Sequence, residues 1–488
     1  MSAVTDVVDP VEPVDAVESE TVSGKTPTII KLLVAATFVV ILNETIMINA
    51  IPRLMVDFNV SARSAQWLSS VFMLTMAAVI PVTGWFLQRV TTRQAYTLAM
   101  VTFGLGTLVA GLAPSFEVLL VGRGIQAAGT AVMMPLLMTT LMQVVPEADR
   151  GRVMGDVMLA MSVAPAMGPA ISGLILHLGS WRLIFAFVLP VAAVITLLGL
   201  RRLENIGESN HSAVSWVSVA LAGLGFATLV YGLSEIGARS GVELTVIIGV
   251  GAVLVAAFIA YQLRLQKSDS PLLDLRTLKH RTFTVSLLLM SAAFMSFIGS
   301  MILLPLYLQD LRGLSAMQTG LLVMPGGLAM GLLGPRVGRL YDRKGSRMLV
   351  IPGAIVMVVV LALFSQIQTD TPYALILALH VVLMVSLSAI FTPVFTLGLG
   401  VLPPALYSHG SSILGTLQQV AGAIGTAILV VVLENRSTDL AAAGASKAAA
   451  FVGGLQWAFV VGAAFGVIVV VLSVFLPNKV DSPAGAHH

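Results

Sequence analysis

The segment GRLYDRKGSR, residues 338–347, is informative about the fold because a weaker copy, GWFLQRVTTR, occupies residues 84–93. Each copy carries arginines and follows an apolar run long enough to cross a membrane. The copies begin 254 residues apart, and the apolar runs that open the two repeats, at residues 29 and 281, begin 252 residues apart. This agreement predicts two six-helix halves. Parallel halves with a site between them are typical of membrane transporters.

The composition places these repeats in a membrane. Of the 488 residues, 57% are hydrophobic and only 10% are charged, whereas soluble domains carry about 25% charged residues. Apolar runs of about 20 residues recur along the chain, each long enough to span the hydrocarbon layer as a helix. Strand-length alternation is absent from the sequence, which argues against a membrane β-barrel. The sequence therefore predicts an all-α, multi-pass protein of the cytoplasmic membrane.

Fourteen transmembrane helices are predicted in a 6+2+6 arrangement. Their expected spans are 29–52, 65–88, 95–113, 117–140, 151–177, 181–201, 213–236, 243–264, 281–309, 316–338, 347–366, 371–396, 408–433 and 454–477. An even number of spans places both termini on one side. Counted over the loops and the helix ends, that side carries 19 of the lysines and arginines and the other side carries 7. The positive-inside rule then predicts cytoplasmic termini.

The predicted domain organisation has five parts. They are a disordered acidic tail (1–28), an N-terminal six-helix bundle (29–201), a linker with two additional helices (202–280), a C-terminal six-helix bundle (281–477) and a C-terminal tail (478–488). The acidic tail lacks the basic and apolar regions of a signal peptide, so we expect it to remain attached and disordered.

Several classes of function are excluded by what the sequence lacks. It contains no cysteine, which excludes disulfides, thiol catalysis and thiolate metal sites. The basic residues lie in short loops rather than in one patch, so a pI near 9.2 does not indicate a nucleic-acid partner. No nucleophile–base pair, metal-ligand cluster or phosphate-binding loop occurs. We therefore expect no enzymatic activity, no metal, no cofactor and no use of ATP.

Four motifs together give the chain a family resemblance. It resembles the major facilitator superfamily, specifically the fourteen-helix drug:H⁺ antiporters and, within them, the lincomycin-resistance-like multidrug exporters. The superfamily loop pattern G-x-L-x-D-R-x-G-x-R is complete at 338–347. LLVGRGIQAAGTA (119–131) resembles the fourth-helix motif of proton-coupled members, and APAMGPAISG (164–173) resembles the fifth-helix antiporter motif. LNETIMINAIP (42–52) resembles the first-helix motif of the fourteen-helix group.

The resemblance implies gating and conformational roles for small and charged residues of these motifs. They are Gly84, Arg89, Gly168, Pro169, Gly173, Gly338, Asp342, Arg343, Gly345 and Arg347. By the symmetry of the halves, Asp342 should lie near Gly151 and Arg152, where a carboxylate meets the positive end of the fifth helix dipole. We expect this contact to act as a conformational latch.

Proton coupling is predicted for Glu44 and Arg123, with Asp156 as a second acid. In the family the first and fourth helices are neighbours. At a rise of 1.5 Å per residue, Glu44 lies about 12 Å from the end of the first helix, and Arg123 lies about 9 Å from the end of the fourth helix on the same side of the membrane. Charges inside a membrane face cavities or one another and are usually functional. The alternative is a static ion pair that fixes the two helices. Asp156 lies four residues after Arg152, a spacing that favours a helix-surface ion pair.

The substrate cavity is predicted to be large and mostly apolar. We expect Asn43, Met47, Gln126, Met133 and Gln418 to line it. The chain contains 23 methionines, and flexible thioethers suit promiscuous apolar binding.

The leading hypothesis is proton-coupled antiport of lipophilic or amphipathic compounds, with drugs as the expected substrates, by alternating access. Its partners are then small lipophilic molecules, protons and membrane lipids. One alternative keeps the fold and exports a dedicated cell-envelope lipid or metabolite. Another is a membrane receptor or scaffold without transport, against which the antiporter motif and the Glu44/Arg123 pair argue.

Overall fold

The regular elements of the computed structural model are helices. The structure describes residues 26–48, 50–206, 214–236, 241–268 and 271–479. Its fourteen long helices are α1 (Thr28–Ile48), α2 (Ala62–Arg89), α3 (Thr92–Gly111), α4 (Phe116–Val144), α5 (Arg150–Leu178), α6 (Arg182–Arg202), α7 (Trp216–Ser234), α8 (Val242–Leu265), α9 (Arg281–Leu306), α10 (Ala316–Lys344), α11 (Arg347–Phe364), α12 (Tyr373–Gly400), α13 (Tyr407–Ala442) and α14 (Lys447–Val474). Fourteen helical segments are long and apolar enough to cross a membrane, which confirms the predicted number. The two tails lie almost wholly outside the described residues.

Several helix ends differ from the sequence prediction, including the start of α14, which is Lys447 rather than residue 454. The first helix ends at Ile48, and a separate short helix, Ile51–Asp57, follows. Pro52 lies in the first turn of that short helix, where its missing N–H costs no hydrogen bond. Helix α13, in contrast, is longer than predicted. It has 36 residues and continues to Ala442, past the expected end at residue 433. The segment ENRSTDL ended the apolar run without ending the helix.

The termini of the described chain lie on one face. Thr26 donates a hydrogen bond to Asp156 near the start of α5, with 2.8 Å between Oγ1 and Oδ2. Lys479 donates from Nζ to the carbonyl oxygen of Asp342 near the end of α10, at 3.0 Å. We call the side that carries Thr26 and Lys479 the terminal face. That the terminal face is cytoplasmic stays a prediction.

Helices α1–α6 meet helices α9–α14 at two main interfaces. The first is formed by α5 and α10, and the second by α2 and α13. Helix α7 packs on α8, α2 and α13, whereas α8 packs mainly on α7. Helices α7 and α8 therefore pack beside the second interface, as expected for a helix pair inserted between the two halves. The residue boundaries of the five-part division stay predictions.

Candidate functional site

Arg123 is the centre of a buried polar network on α4. Its side chain is 1% exposed, and its guanidinium carbon lies 4.3 Å from the ring centroid of Phe72. Arg123 Nη1 donates to Oε1 of Gln126 at 3.0 Å. Gln126 Nε2 in turn donates to Oγ1 of Thr107 at 2.8 Å. Arg123 Nε has no hydrogen-bond partner among the described residues, so the network does not satisfy the whole guanidinium.

Glu44 of α1 is the acid whose charge acts on Arg123. The carboxylate of Glu44 and the guanidinium of Arg123 interact electrostatically. Within the described chain they form neither a salt bridge nor a direct hydrogen bond. The predicted neighbouring of α1 and α4 is present, and the role of Glu44 and Arg123 in proton coupling stays a prediction.

Asn43, next to Glu44, is fully buried and unpartnered. Its exposure is 0%, and neither Nδ2 nor Oδ1 has a hydrogen-bond partner in the described part of the protein. An unsatisfied buried polar group costs about 1–3 kcal/mol. The C-terminal half of α1 therefore carries an unsatisfied amide and an acid at consecutive positions.

The residues expected to line a cavity are mostly enclosed in this conformation. Asn43, Met47, Gln126 and Met133 are buried. Met47 and Met133 belong to two different apolar clusters. Gln418 is half-buried on α13. Of the five, Gln126 hydrogen-bonds to Arg123, and the cavity role of all five stays a prediction.

Asp342 caps the start of α5, as the sequence predicts. Its Oδ1 accepts from the backbone N–H of Gly151 at 2.8 Å, and its Oδ2 accepts from that of Arg152 at 2.8 Å. A carboxylate at a helix N-terminus stabilises it by about 0.3–1 kcal/mol, and by up to about 2 kcal/mol when partly buried. One side chain of α10 thus holds the terminal end of α5.

Four glycines bring the backbones of α5 and α10 together beside Asp342. A Cβ atom on Gly338 would lie 1.9 Å from the carbonyl oxygen of Gly151, and one on Gly155 would lie 2.3 Å from that of Gly334. Sequence analysis did not pair these residues. The signal was present, since each helix has two glycines four residues apart, the spacing of close helix packing in membranes.

The end of the loop motif holds the last described residues of the chain. Gly345 has a φ of +85°, a conformation that favours glycine, and a Cβ there would lie 2.4 Å from the carbonyl oxygen of Asn478. Arg347 Nε donates to the carbonyl oxygen of Leu476 at 2.8 Å. Arg343 is exposed. Gly345 and Arg347 therefore contact the segment that follows α14, whereas Gly338 and Asp342 contact α5.

The second interface uses a neutral residue where the first uses Asp342. Gln88, at the equivalent position of the first repeat, donates from Nε2 to the carbonyl oxygen of Ala405 at 2.8 Å, just before α13. Gly84 lets α13 approach, because a Cβ there would lie 2.8 Å from Nδ1 of His409. Arg89 lies over the Trp85 ring, 5.5 Å from its centroid. The two interfaces are thus equivalent in position and different in chemistry.

The antiporter motif contacts both halves. A Cβ on Gly168 would lie 2.3 Å from Oγ1 of Thr45, so Gly168 packs on α1. Pro169 lies 3.0 Å from the Cβ position of Gly320 on α10, and Gly173 faces Met317 of the same helix at 3.8 Å. The predicted close packing is present, and the gating role is untested.

Asp156 is not paired with Arg152 as the helix spacing favoured. Arg152 forms its salt bridge with Asp149, with 3.5 Å between Nε and Oδ1. Arg152 Nη1 also donates to Oγ1 of Thr26 at 3.2 Å, and Thr26 donates to Asp156. The threonine therefore bridges the two charges, because the chain entering α1 passes between them.

The segment that follows α8 reaches the second interface. Gln262 of α8 is fully buried. Its Oε1 accepts from the backbone N–H groups of Leu272 and Leu273 at 2.8 and 3.2 Å, and its Nε2 donates to Oγ of Ser218 on α7 at 2.9 Å. Leu273 Cδ1 lies 3.3 Å from the Cβ position of Gly84. A glutamine inside an apolar helix was the signal that sequence analysis overlooked.

Comparison with known proteins agrees with this architecture. The family model described as Major Facilitator Superfamily matches residues 33–426. The MFS-type transporter YcnB of Bacillus subtilis (strain 168) is 38% identical over 458 residues, 93% of this chain and 96% of the relative. The lincomycin resistance protein LmrB of Listeria monocytogenes is 38% identical over 456 residues, 92% of this chain and 96% of the relative.

A solved structure shares the fold at low sequence identity. The human organic anion transporter MFSD10 (TETRAN) superposes with a TM-score of 0.64 and 14% identity, over 92% of this chain and all of that one.

Proposed function

The chain belongs to the major facilitator superfamily, and from that premise we propose that it exports lipophilic or amphipathic compounds, drugs among them, in exchange for protons. The export proceeds by alternating access, with the substrate site exposed first on one face of the membrane and then on the other.

Proton coupling rests on the interaction between Glu44 and Arg123. Arg123 is fully buried, and the acid that senses its charge lies on a neighbouring membrane helix. Charges inside a membrane are expensive and are usually found where function needs them. Protonation of Glu44 removes one of the two charges, so it changes the free energy of this enclosed site. That change is what can bias one conformation over another.

Alternating access is supported by closure at the terminal face. Asp342 joins α10 to α5, and Gln88 joins α2 to the segment before α13. With the terminal face on the cytoplasmic side, as charge distribution predicts, this conformation is closed toward the cytoplasm.

The drug substrates are suggested by a relative. The Listeria protein that is 38% identical is a lincomycin resistance protein, and the coverage of both chains is almost complete. The methionine-rich composition suits apolar substrates of varied shape.

The test is transport by the purified full-length protein in proteoliposomes with an imposed pH gradient. The panel contains lincomycin, a lipophilic cation, a neutral amphipathic compound and a short-chain phospholipid. We expect gradient-dependent movement of the first three. Movement of the phospholipid alone would instead favour a dedicated lipid exporter.

Glu44→Gln tests the coupling itself. It keeps shape and hydrogen bonding but cannot titrate, so we expect it to abolish gradient-driven transport. Binding of an uncharged substrate should stay within about tenfold, or about 1.4 kcal/mol. Glu117→Gln is the matched control, since Glu117 is exposed at the start of α4. Native uphill transport by Glu44→Gln would exclude Glu44 as the proton carrier.

A further inference from the structure

Two adjoining concavities lie on the terminal face between α3 and α6. The larger has a volume of about 590 Å³ and is lined by Thr28, Arg93, Arg201, Arg202 and Glu204, among others. The smaller has a volume of about 430 Å³ and extends along α3 past Leu98 and Val101. Arg93 and Asn205 line both, so the two form one continuous depression, which we call the α3–α6 groove.

The α3–α6 groove carries more basic than acidic side chains. Arg93, Arg201 and Arg202 are exposed. Among the described residues, none of their guanidinium groups donates a hydrogen bond or forms an ion pair. Glu204 is the single acid that lines the groove. The groove therefore carries an excess of two positive charges and an unused set of guanidinium donors.

The walls of the groove are held by specific contacts between α3 and α6. The Tyr96 hydroxyl donates to the carbonyl oxygen of Ile195 at 2.7 Å. Its ring lies against Gly199, where a Cβ would come within 2.1 Å of Cε1. Thr92 Oγ1 donates to the carbonyl oxygen of Ile206 at 3.3 Å. Arginines that serve only to orient the chain across the membrane would not need to line a concavity held by such contacts.

An apolar surface continues from the groove along α3 into the membrane. Leu98, Val101, Leu105 and Leu108 are spaced three or four residues apart and so share one face of the helix. All four are exposed, from 42% to 54%. The arginines thus lie at the polar end of a stripe that faces the hydrocarbon layer.

We propose that the α3–α6 groove binds the headgroup of an anionic phospholipid, with an acyl chain along the α3 stripe. Guanidinium groups recognise phosphate oxygens through paired hydrogen bonds, and basic pockets between membrane helices suit phosphate-bearing headgroups. The phosphate accounts for the arginines, and the acyl chain accounts for the exposed leucines and valine beside them. This lipid site is separate from the Glu44/Arg123 network and does not depend on the exported compound.

Lipid retention by the full-length protein tests the proposal. Native mass spectrometry of the detergent-solubilised protein would compare phosphatidylglycerol with phosphatidylcholine of the same chains. We expect preferential retention of phosphatidylglycerol. In Arg201→Gln/Arg202→Gln that retention should fall by about twenty-fivefold, since each arginine at an anionic lipid surface contributes about fivefold. Arg336→Gln/Arg339→Gln, which removes two exposed arginines of α10 on the same face, is the matched control and should retain the lipid.

A second variant, a stability criterion and a competitor distinguish a specific lipid site from nonspecific binding. Arg93→Gln provides an independent variant, and only variants that melt near the wild-type temperature are scored. Equal loss in the Arg336/Arg339 control would overturn the site, because any two arginines would then serve. Inorganic phosphate that competes as well as phosphatidylglycerol would overturn the lipid assignment.

A last arm concerns the chain's own acids before residue 26. Six carboxylates precede the groove in sequence, at Asp6, Asp9, Glu12, Asp15, Glu18 and Glu20. In a full-length variant with these six as amides, unchanged phosphatidylglycerol retention supports the proposal. A large gain in retention would mean that the acids themselves occupy the groove, and would overturn it.

Discussion

Gly338 shows how little space the α5–α10 interface leaves for a side chain. We predict that Gly338→Ala destabilises the protein by about 1–3 kcal/mol, the usual cost of overpacking, because the new methyl group would collide with the Gly151 carbonyl oxygen. Gly104→Ala is the control, since nothing lies within 4 Å of a Cβ there. It should be neutral or stabilising by up to about 1 kcal/mol, because alanine favours a helix. Thermal melting in detergent measures both, and an unchanged melting temperature for Gly338→Ala would refute the close approach.

Arg123 should matter more for folding than Glu44. Arg123→Ala removes the stacking on Phe72 and the bond to Gln126, and it leaves Glu44 without its compensating charge. Loss of one partner from a buried charged pair costs about 3–5 kcal/mol when the pair is in contact, so we expect a substantial fraction of that. Glu44→Gln should cost less, and Arg339→Ala, at an exposed position, almost nothing. A melting temperature for Arg123→Ala above that of Glu44→Gln would contradict this order.

Residue contacts were predictable where a motif fixed them and not elsewhere. The position of Asp342 against Gly151 followed from the repeat, since equivalent loops of the two halves must meet equivalent helices. The complete burial of Asn43 did not, because in a helix that is apolar all round the pattern does not show which face is enclosed. Gln88 occupies the position in the weaker repeat that Asp342 occupies in the complete one. Its bond to Ala405 required the three-dimensional position of the segment before α13.

At the scale of helices, Asp342 acts on conformation rather than on substrate. Asp342→Asn keeps one acceptor oxygen and loses the charge, so the cap on α5 weakens. We predict a lower transport rate with unchanged substrate affinity, because the residue caps α5 and is not part of the Arg123 network. Transport and binding measured in the same preparation test this, with exposed Asp370→Asn as the control. Weaker affinity with a normal rate per bound substrate would count against the cap.

The additional helix pair is tied to the second interface through Gln262. Gln262→Leu leaves the N–H groups of Leu272 and Leu273 buried without an acceptor, at about 1–3 kcal/mol for an unsatisfied group. We predict that transport slows, because Leu273 then no longer holds its place against Gly84. Gln143→Leu, at an exposed position of α4, is the control. Normal transport by a well-folded Gln262→Leu protein would show that α7 and α8 do not influence this interface.

For the whole molecule, hydropathy and the internal repeat predicted the fold. The number of helices and their grouping depend only on the lengths and the order of the apolar runs. Fourteen apolar runs and a repeat interrupted by two of them gave the 6+2+6 arrangement. The ends of α1 and α13 were misplaced for opposite reasons. Apolar residues continue past the break at Ile48, and charged residues begin before α13 ends. Hydropathy reports burial in lipid, whereas helix ends depend on backbone hydrogen bonds.

Asp342 and Gln88, which occupy equivalent positions at the two interfaces of the terminal face, differ in charge, and this difference predicts the order in which the interfaces open. Asp342 makes two charge-assisted hydrogen bonds, which are roughly twice as strong as neutral ones, whereas Gln88 makes one neutral bond. When the face opens, α2 should leave α13 first, while α5 and α10 still touch and serve as the axis of rotation. The chain has no cysteine of its own, so pairs of fluorophores on introduced cysteines can follow each interface in single molecules. We expect an intermediate with only the second interface open, and Gln88→Glu should change how long it lasts without removing it.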